Sequence, residues 1–269
     1  MRARSPSKGR VVSQQDHESG TRVPNRRDGQ SRFDLFPPWR GRIAVVLMVL
    51  SVLASPFSIV AEATSSAESA DARPGAPLAT LSGSGTIDDP YQITDATGLQ
   101  AMTADLTVNY SLTGDVDAGE TATWNGGAGF DPIGNRTAPF TGTFDGTGHT
   151  ISGLAIARDS ANFVGLFGVI AADGEVRDVT LSTVSVDGGF GTGGLAGESD
   201  GVVTGVTVSG SVTGTNQVGG LVGRVSARTV GTSSATGTVG GTGTTGGLVG
   251  WNDGTVHGGS STESSRRNI

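Results

Sequence analysis

The sequence predicts an all-β protein built as a parallel β-helix, in which the chain winds through stacked coils. The pattern Gly-Leu-x-Gly recurs four times, with spacings of 29, 26 and 27 residues between copies. Short stretches such as Val206-x-Val208 alternate apolar and polar residues, which is the period of a strand with one buried face. Glycine is abundant, with 45 residues among 269, and it disfavours helix interiors.

The chain begins with a basic tail, residues 1–42, which has ten Lys and Arg against four Asp and Glu. An uncharged run of nineteen residues, Ile43 to Ala61, follows, and Ala61-Glu62-Ala63 fits a small-x-small cleavage pattern. We therefore expect residues 43–63 to be a signal peptide that exports the rest of the chain to the extracellular medium or cell surface. A retained signal anchor is the alternative, because about 20 apolar residues can span a bilayer. Membrane contact would then be limited to this segment.

Residues 64–82 are rich in Ser, Ala and Pro, and predict a flexible linker. From Thr64 onward the chain has eight Arg, no Lys and twenty acidic residues. This balance argues against nucleic acid as a partner, because nucleic-acid binding requires a basic face. The chain has no cysteine, so neither disulfides nor thiolate metal sites are available.

The repeats predict stacked strands whose equivalent residues lie in rows. Asp-Gly precedes a Val in three of the four units, and we expect it to turn the chain with Gly at positive φ. The Gly residues beside each Leu should allow neighbouring coils to approach closely. Since one unit of about 27 residues cannot bury its own apolar face, two inward rows are expected: Leu166, Leu195, Leu221 and Leu248, and Val176, Val203, Val230 and Val256.

The repeats resemble the GLUG-motif repeats of bacterial and archaeal surface proteins, since three of them read Gly-Gly-Leu-x-Gly, at 193–197, 219–223 and 246–250. The string from Phe140 to Leu154 is similar to the coil openings of pectin-lyase-like β-helices. The resemblance implies a right-handed parallel β-helix in an exported, often adhesin-like protein without a defined enzymatic activity. It divides the chain into an N-terminal β-helix region (83–160), the repeats (161–257) and a frayed C-terminal tail (258–269).

Carboxylates are the first candidates for chemistry, because glycoside hydrolysis needs two carboxyl groups facing one cleft. Asp88 and Asp89 are adjacent before a proline, which favours a capping turn. Asp115 and Asp117, with Glu120 nearby, could hold a hard cation through oxygen ligands, but they lack the EF-hand spacing.

Other polar residues predict turns and coil edges. Asp173, Asp200 and Asp253 share one repeat slot, yet Ala227 interrupts the column and turn geometry explains these residues better than calcium binding. His17, His149 and His257 are too far apart in the chain for a local metal motif. We therefore predict no catalytic, cofactor-binding or metal-binding residue, and no cofactor.

Two acceptor patterns for N-glycosylation are present, Asn109-Tyr-Ser111 and Asn135-Arg-Thr137. The pattern arises often by chance, so the sequence leaves occupancy at both sites open.

The sequence favours a non-catalytic structural or adhesive surface module whose partners are surface polysaccharides or other cell-surface proteins. The alternative is a carbohydrate-active enzyme or binding accessory on the same fold, with Asp88, Asp131 and Asp145 as the contributing carboxylates. A third hypothesis is a truncated remnant of a larger adhesin, since the last repeat fades into Gly and Ser. Further repeats in the downstream DNA would support it.

Overall fold

The computed structural model describes the backbone of residues 81–267 and the side chains of residues 81–262. The predicted basic tail (1–42), the export segment (43–63), His17 and all but the last residues of the linker (64–82) lie outside them. In the described part, no helix combines the length and apolar character that a membrane span requires.

Parallel strands form nearly all of the regular structure, and the strands of successive coils stack in register. Between residues 81 and 267 they are interrupted by one α-helix, α1 (Ala96–Ala101), and by 3₁₀ segments at Met102–Ala104 and Gly119–Gly127. The strands are β1 (Tyr91–Ile93), β2 (Asn109–Leu112), β3 (Val116–Asp117), β4 (Thr143–Asp145), β5 (Thr150–Ser152), β6 (Ala155–Ala157), β7 (Phe167–Ile170), β8 (Glu175–Arg177), β9 (Thr180–Asp187), β10 (Phe190–Gly193), β11 (Ala196–Ser199), β12 (Val202–Thr204), β13 (Thr207–Gly214), β14 (Asn216–Gly219), β15 (Val222–Val225), β16 (Thr229–Gly231), β17 (Ser234–Gly241), β18 (Thr245–Gly246), β19 (Val249–Asn252), β20 (Thr255–His257) and β21 (Ser260–Arg267).

Four sheets run along the solenoid, and each coil contributes a strand to each of them in the repeat region. Their orders are β1-β2-β4-β8-β12-β16-β20, β3-β5-β9-β13-β17-β21, β10-β14-β18 and β7-β11-β15-β19, with β6 also paired to β9. All of these pairings are parallel, and they connect strands about one repeat apart in sequence. The prediction of an all-β parallel β-helix is confirmed.

Both predicted rows lie in register. Val176, Val203, Val230 and Val256 are successive partners in one sheet. In the other row, the amide of Leu195 donates to Leu221 O and that of Leu221 to Leu248 O, both at 2.9 Å. The first three members of each row are fully buried, whereas Leu248 and Val256 are only partly buried.

The last Gly of each Gly-Leu-x-Gly unit lies against the backbone of the preceding coil, as expected. A Cβ on Gly197 would lie 2.3 Å from the carbonyl carbon of Phe163, and one on Gly223 would lie 2.5 Å from the amide nitrogen of Thr192. Contacts this short do not occur for a real Cβ, so these positions require glycine for space.

The Asp-Gly turns differ from the prediction. Gly174, Gly201 and Gly254 do not have positive φ. Instead, their Cβ atoms would lie 2.3–2.7 Å from carbonyl oxygens of a neighbouring strand or coil, so glycine is required by close approach. The left-handed conformation occurs at a different corner, where the same register position is left-handed in successive coils: Gly148, Asp178, Gly205, Thr232 and Gly258.

The expectation of a frayed tail from residue 258 is wrong for Ser260–Arg267. This segment is β21, and it pairs in parallel with all eight residues of β17. The ladder uses main-chain donors and acceptors, so a segment of Ser, Thr, Glu and Arg can extend a sheet without apolar side chains.

Candidate functional site

On the sheet β7-β11-β15-β19, three of the four coils of the repeat region place a charged or aromatic residue directly after the Gly-Leu-x-Gly unit. Strand register places one residue from each coil in a single row: Val169, Glu198, Arg224 and Trp251. The row changes from apolar to acidic, basic and aromatic along the solenoid, while the leucine row beside it is constant. We call Glu198, Arg224, Trp251 and their partners Arg136 and Asp253 the charged row.

Glu198 is the centre of the charged row. Its side chain is only 8% exposed, and its two carboxylate oxygens accept hydrogen bonds from Arg136, Nε to Oε2 at 2.7 Å and Nη2 to Oε1 at 2.9 Å. Ser226 Oγ donates to Oε1 at 3.2 Å, and Arg224 Nη1 lies 3.7 Å from the same oxygen. A buried carboxylate is stable only when it is paired in this way, so Glu198 holds two arginines and a hydroxyl around itself.

Arg136 belongs to the loop that precedes β4 and lies 62 residues from Glu198 in the chain. The hydrogen bond with Glu198 raises the pKa of Arg136 above its usual value. Its guanidinium also lies 4.1 Å from the centre of the Phe163 ring, a cation–π contact. Together these contacts fasten the loop onto the later coil.

The C-terminal end of the charged row is more open. Arg224 Nη2 lies 3.5 Å from Asp253 Oδ2, and Trp251 is 44% exposed, although most large apolar side chains among the described residues are buried. An exposed indole can stack on an apolar ring face and donate one hydrogen bond. Beside it, guanidinium and carboxylate groups can bind hydroxyls.

Asp145, a predicted contributor, lies in β4 and is already paired. Arg177 Nη2 lies 2.8 Å from Asp145 Oδ2, and Arg177 also donates from Nη1 to Glu175 Oε1 at 2.9 Å. Hydrogen bonds to Glu175 and then to Asp145 raise the pKa of Arg177. Asp145 and Arg177 line a small cleft, together with Ile87 and Pro90.

Asp131 lies beside a different cleft, of about 200 Å³, that Arg158, Asn135 and Phe163 help to line. Its Oδ1 is 3.2 Å from Arg158 Nη2. The structure therefore places Asp131 and Asp145 at separate clefts and gives each its own arginine. Asp88 is exposed and lies in the bend before β1, where Ser84 N donates to Asp89 O at 3.0 Å.

The remaining sequence candidates bind the backbone. Asp115 Oδ1 accepts from Thr150 N at 2.9 Å and lies 3.4 Å from His149 Nδ1. Asp117 Oδ1 accepts from Gly119 N at 2.9 Å. Within residues 81–262, no three His, Asp or Glu side chains come together in a group that could hold a metal ion.

Two aspartates of the repeat slot, Asp200 and Asp253, make equivalent backbone hydrogen bonds, but their carboxylates have different neighbours. Asp200 N and Asp253 N donate to carbonyls of the preceding coil, Ile170 O and Val225 O, both at 2.8 Å. The Asp253 carboxylate lies 3.5 Å from Arg224, and the charge of Asp200 contributes to the raised pKa of Arg136. Sequence reasoning missed Glu198, Arg136, Arg224 and Trp251. For Glu198, Arg224 and Trp251 the available signal was that the residue immediately after Gly-Leu-x-Gly varies in an otherwise regular unit.

No family model matches the chain. Over 165 residues it is 45% identical to "Halomucin" of Haloquadratum walsbyi, an alignment that covers 58% of this chain and 2% of that protein. Over 179 residues it is 33% identical to "Putative Gly-rich membrane protein" of Evansella cellulosilytica, with 53% of this chain and 20% of that protein covered. The chain thus spans a small part of each of these relatives.

One solved structure shares the fold. It is described as a "putative immunoglobulin A1 protease" from Bacteroides ovatus and is 20% identical, with a TM-score of 0.52 over 68% of this chain and 69% of that chain. At this level of identity the likeness supports the β-solenoid architecture alone.

Proposed function

We propose that this chain is an exported, non-catalytic β-solenoid that acts at the cell surface as an adhesive or structural module. The charged row supports the proposal most directly, because it offers an extended set of binding groups rather than a pocket with converging reactive groups. Its main charged members bind one another, as Glu198 does with Arg136 and Arg224. The resemblance to GLUG-motif repeats and the relatives named for mucin and membrane support a surface location.

The proposed ligand is a surface polysaccharide that lies along the solenoid axis over Trp251 and Arg224. Stacking of a nucleic-acid base on an aromatic side chain contributes about 1–3 kcal/mol, and we expect a sugar ring stacked on Trp251 to contribute an amount of the same order. Repeated weak contacts along a solenoid suit a polymer with its own repeat.

A glycan array and a cell-adhesion assay with the full chain test this function. Binding should fall about tenfold or more in Trp251→Ala and in Arg224→Ala, since 1.4 kcal/mol corresponds to a factor of ten. Ser211→Ala is the matched control, because Ser211 is exposed on β13, a strand of a different sheet. Equal binding by all variants would refute the charged row as the site. Absence of binding to every glycan and cell would leave only the structural role.

A carbohydrate-active enzyme is the second candidate, and the cleft that Asp145 and Arg177 line favours it. Release of reducing ends from acidic polysaccharides, abolished by Asp145→Ala, would replace our proposal with this one. The separation of Asp131 from Asp145 argues against it, because paired carboxylates must face one glycosidic bond.

A further inference from the structure

Two N-glycosylation patterns occur in the described chain, and their surroundings differ. Asn109 starts β2, which lies between β1 and β4 in a seven-stranded sheet. Its Nδ2 donates to Gly85 O at 3.0 Å, and its backbone amide donates to the same oxygen at 2.9 Å. The nitrogen that would carry a sugar is therefore engaged, on a half-buried residue within a parallel sheet.

Asn135 lies in an exposed turn instead. Its Oδ1 accepts hydrogen bonds from Thr137 N at 2.9 Å, Thr137 Oγ1 at 2.6 Å and Ala138 N at 3.0 Å. The backbone amide of Asn135 donates to Ala138 O at 2.9 Å. The turn thus uses only the oxygen of the side-chain amide. Within residues 81–262, Nδ2 of this exposed asparagine makes no hydrogen bond with protein, and the cleft lined by Asp131 and Phe163 lies beside it.

We propose that Asn135, and not Asn109, is an N-glycosylation acceptor in the folded protein. In the reaction a bond forms between Nδ2 and C1 of a sugar, and the bond between C1 and the oxygen of a lipid pyrophosphate breaks. The lipid pyrophosphate leaves with the bonding electron pair, and Nδ2 loses one proton to the transferase. The donor is a lipid-pyrophosphate-linked oligosaccharide, and the acceptor pattern belongs on the surface loops of exported proteins.

The folded structure sets the difference between the two sites. A transferase can reach Asn135 without unfolding, because the turn is exposed and Nδ2 breaks no hydrogen bond. Modification of Asn109 requires β2 to leave the sheet first, so its rate falls by the fraction of molecules that are open. Local opening of a central strand is rare, and we expect a difference of at least about 100-fold. This inference extends beyond the proposed adhesive function, although both rest on export.

The test uses the purified full chain, an oligosaccharyltransferase and its pyrophosphate-linked donor, with glycopeptide masses followed over time. In the native protein Asn135 should gain one glycan and Asn109 should not, and both Asn135→Gln and Thr137→Ala should abolish the product. Asn109→Gln is the matched control and should leave it unchanged. The urea-unfolded chain should accept glycan at both sites, which shows that the enzyme recognises each sequence.

Modification of the unfolded chain at Asn135 without modification of the native chain would overturn the proposal, as would equal modification of both sites in the native chain. Loss of adhesion in the charged-row variants is measured separately, so either proposal can fail alone.

Discussion

The N-terminal region (83–160) and the repeat region (161–257) share one continuous row of core residues, but they fill it differently. In the sheet that begins with β1, the register joins Tyr110 to Phe144, Phe144 to Val176, and Val176 to Val203. Large aromatic side chains thus occupy the row in the N-terminal region, and valine occupies it in every repeat.

The difference follows from the regularity of the coils. The N-terminal region contains α1, two 3₁₀ segments and coils of unequal length, so its interior is irregular. Phe140 and Phe144 fill it by packing on Phe167, with ring centroids 5.0 and 5.7 Å away. The repeats have nearly equal coils, and rows of small apolar residues suffice. The core of the N-terminal region therefore depends on the fit of individual large side chains, whereas the core of the repeat region depends on the same small residue in each coil.

The largest effect should come from a charge within a row of the repeat region. Leu221→Asp would bury an unpaired carboxylate between Leu195 and Leu248, and we expect a loss of more than about 4 kcal/mol in the free energy of unfolding. Leu248→Asp should cost clearly less, because Leu248 is only partly buried. Urea unfolding followed by circular dichroism measures both. Equal losses at Leu221 and Leu248 would show that packing between two neighbouring coils does not determine how much each leucine contributes to stability.

Exchange of side-chain size between the regions is the next test. Phe144→Val gives the N-terminal region the repeat residue and removes a fully buried ring, so we expect a loss of about 2–4 kcal/mol from the cavity. Val203→Phe is the reciprocal change, and overpacking should cost about 1–3 kcal/mol. Thermal unfolding measures both variants. If either exchange were neutral, aromatic residues and valine would be interchangeable along this row, and the two regions would not differ in how they fill it.

The rows of the repeat region could be predicted because each position recurs at a nearly fixed spacing. Leu195 and Val203 each have an equivalent in the next coil, and their burial in parallel register follows from repetition alone. The N-terminal aromatics have no such equivalents, and α1 depends on the local cap of Asp95, whose Oδ1 accepts from Gly98 N at 2.7 Å. The spacing of the repeats therefore could not predict this helix.

The pairing of Glu198 with Arg136 in the charged row could not be predicted, for a different reason. Glu198 and Arg136 are 62 residues apart, and they come from different regions, so no spacing connects them. The Asp-Gly turns were misjudged because glycine satisfies two needs, positive φ and close approach, and the sequence does not say which applies. At Gly201 the neighbouring carbonyl of Gly174 decides it.

The contact between the two regions should depend on Glu198. Glu198→Gln keeps the shape but removes the charge that holds Arg136, and we expect a loss of about 1.5–2 kcal/mol in the free energy of unfolding, at the low end of the range for hydrogen bonds to charged groups because Arg136 is half exposed. Glu175→Gln is the control, since its partner Arg177 and Glu175 itself are both about one-third exposed, and such pairs contribute about 0–1 kcal/mol. Urea unfolding at low and at high salt distinguishes them. A larger loss of unfolding free energy in Glu175→Gln than in Glu198→Gln would contradict the view that the contact between the two regions depends on Glu198.

The N-terminal region should also lose stability in alkali through Tyr110. Burial, and then the charge of Asp105, raise the pKa of Tyr110 above its usual value, and its hydroxyl donates to Asp105 O at 2.6 Å. The unfolded chain therefore releases this proton first, so stability is complete below pH 10 and falls as the pH rises above it, by about 1 kcal/mol near pH 11. Tyr110→Phe should lower stability at neutral pH but flatten this decline. If the original chain and Tyr110→Phe lost stability equally as the pH rises above 10, the loss would come from groups other than Tyr110.

The smallest expected effect uses the repetition itself to correct a strained residue. Thr232 has a φ of 43° and is exposed, while the equivalent residues of the neighbouring coils, Gly205 and Gly258, have φ values of 64° and 62°. A β-branched residue in the left-handed region costs about 1–2 kcal/mol, and glycine returns part of this through its greater freedom in the unfolded chain. Thr232→Gly should therefore stabilise the protein by about 0.5–1 kcal/mol in urea unfolding. Thr229→Gly, three residues earlier within β16, is the control and should destabilise, because glycine weakens a strand interior. If Thr232→Gly destabilised as well, this corner would depend on the threonine side chain, and the equivalence of the coils would end there.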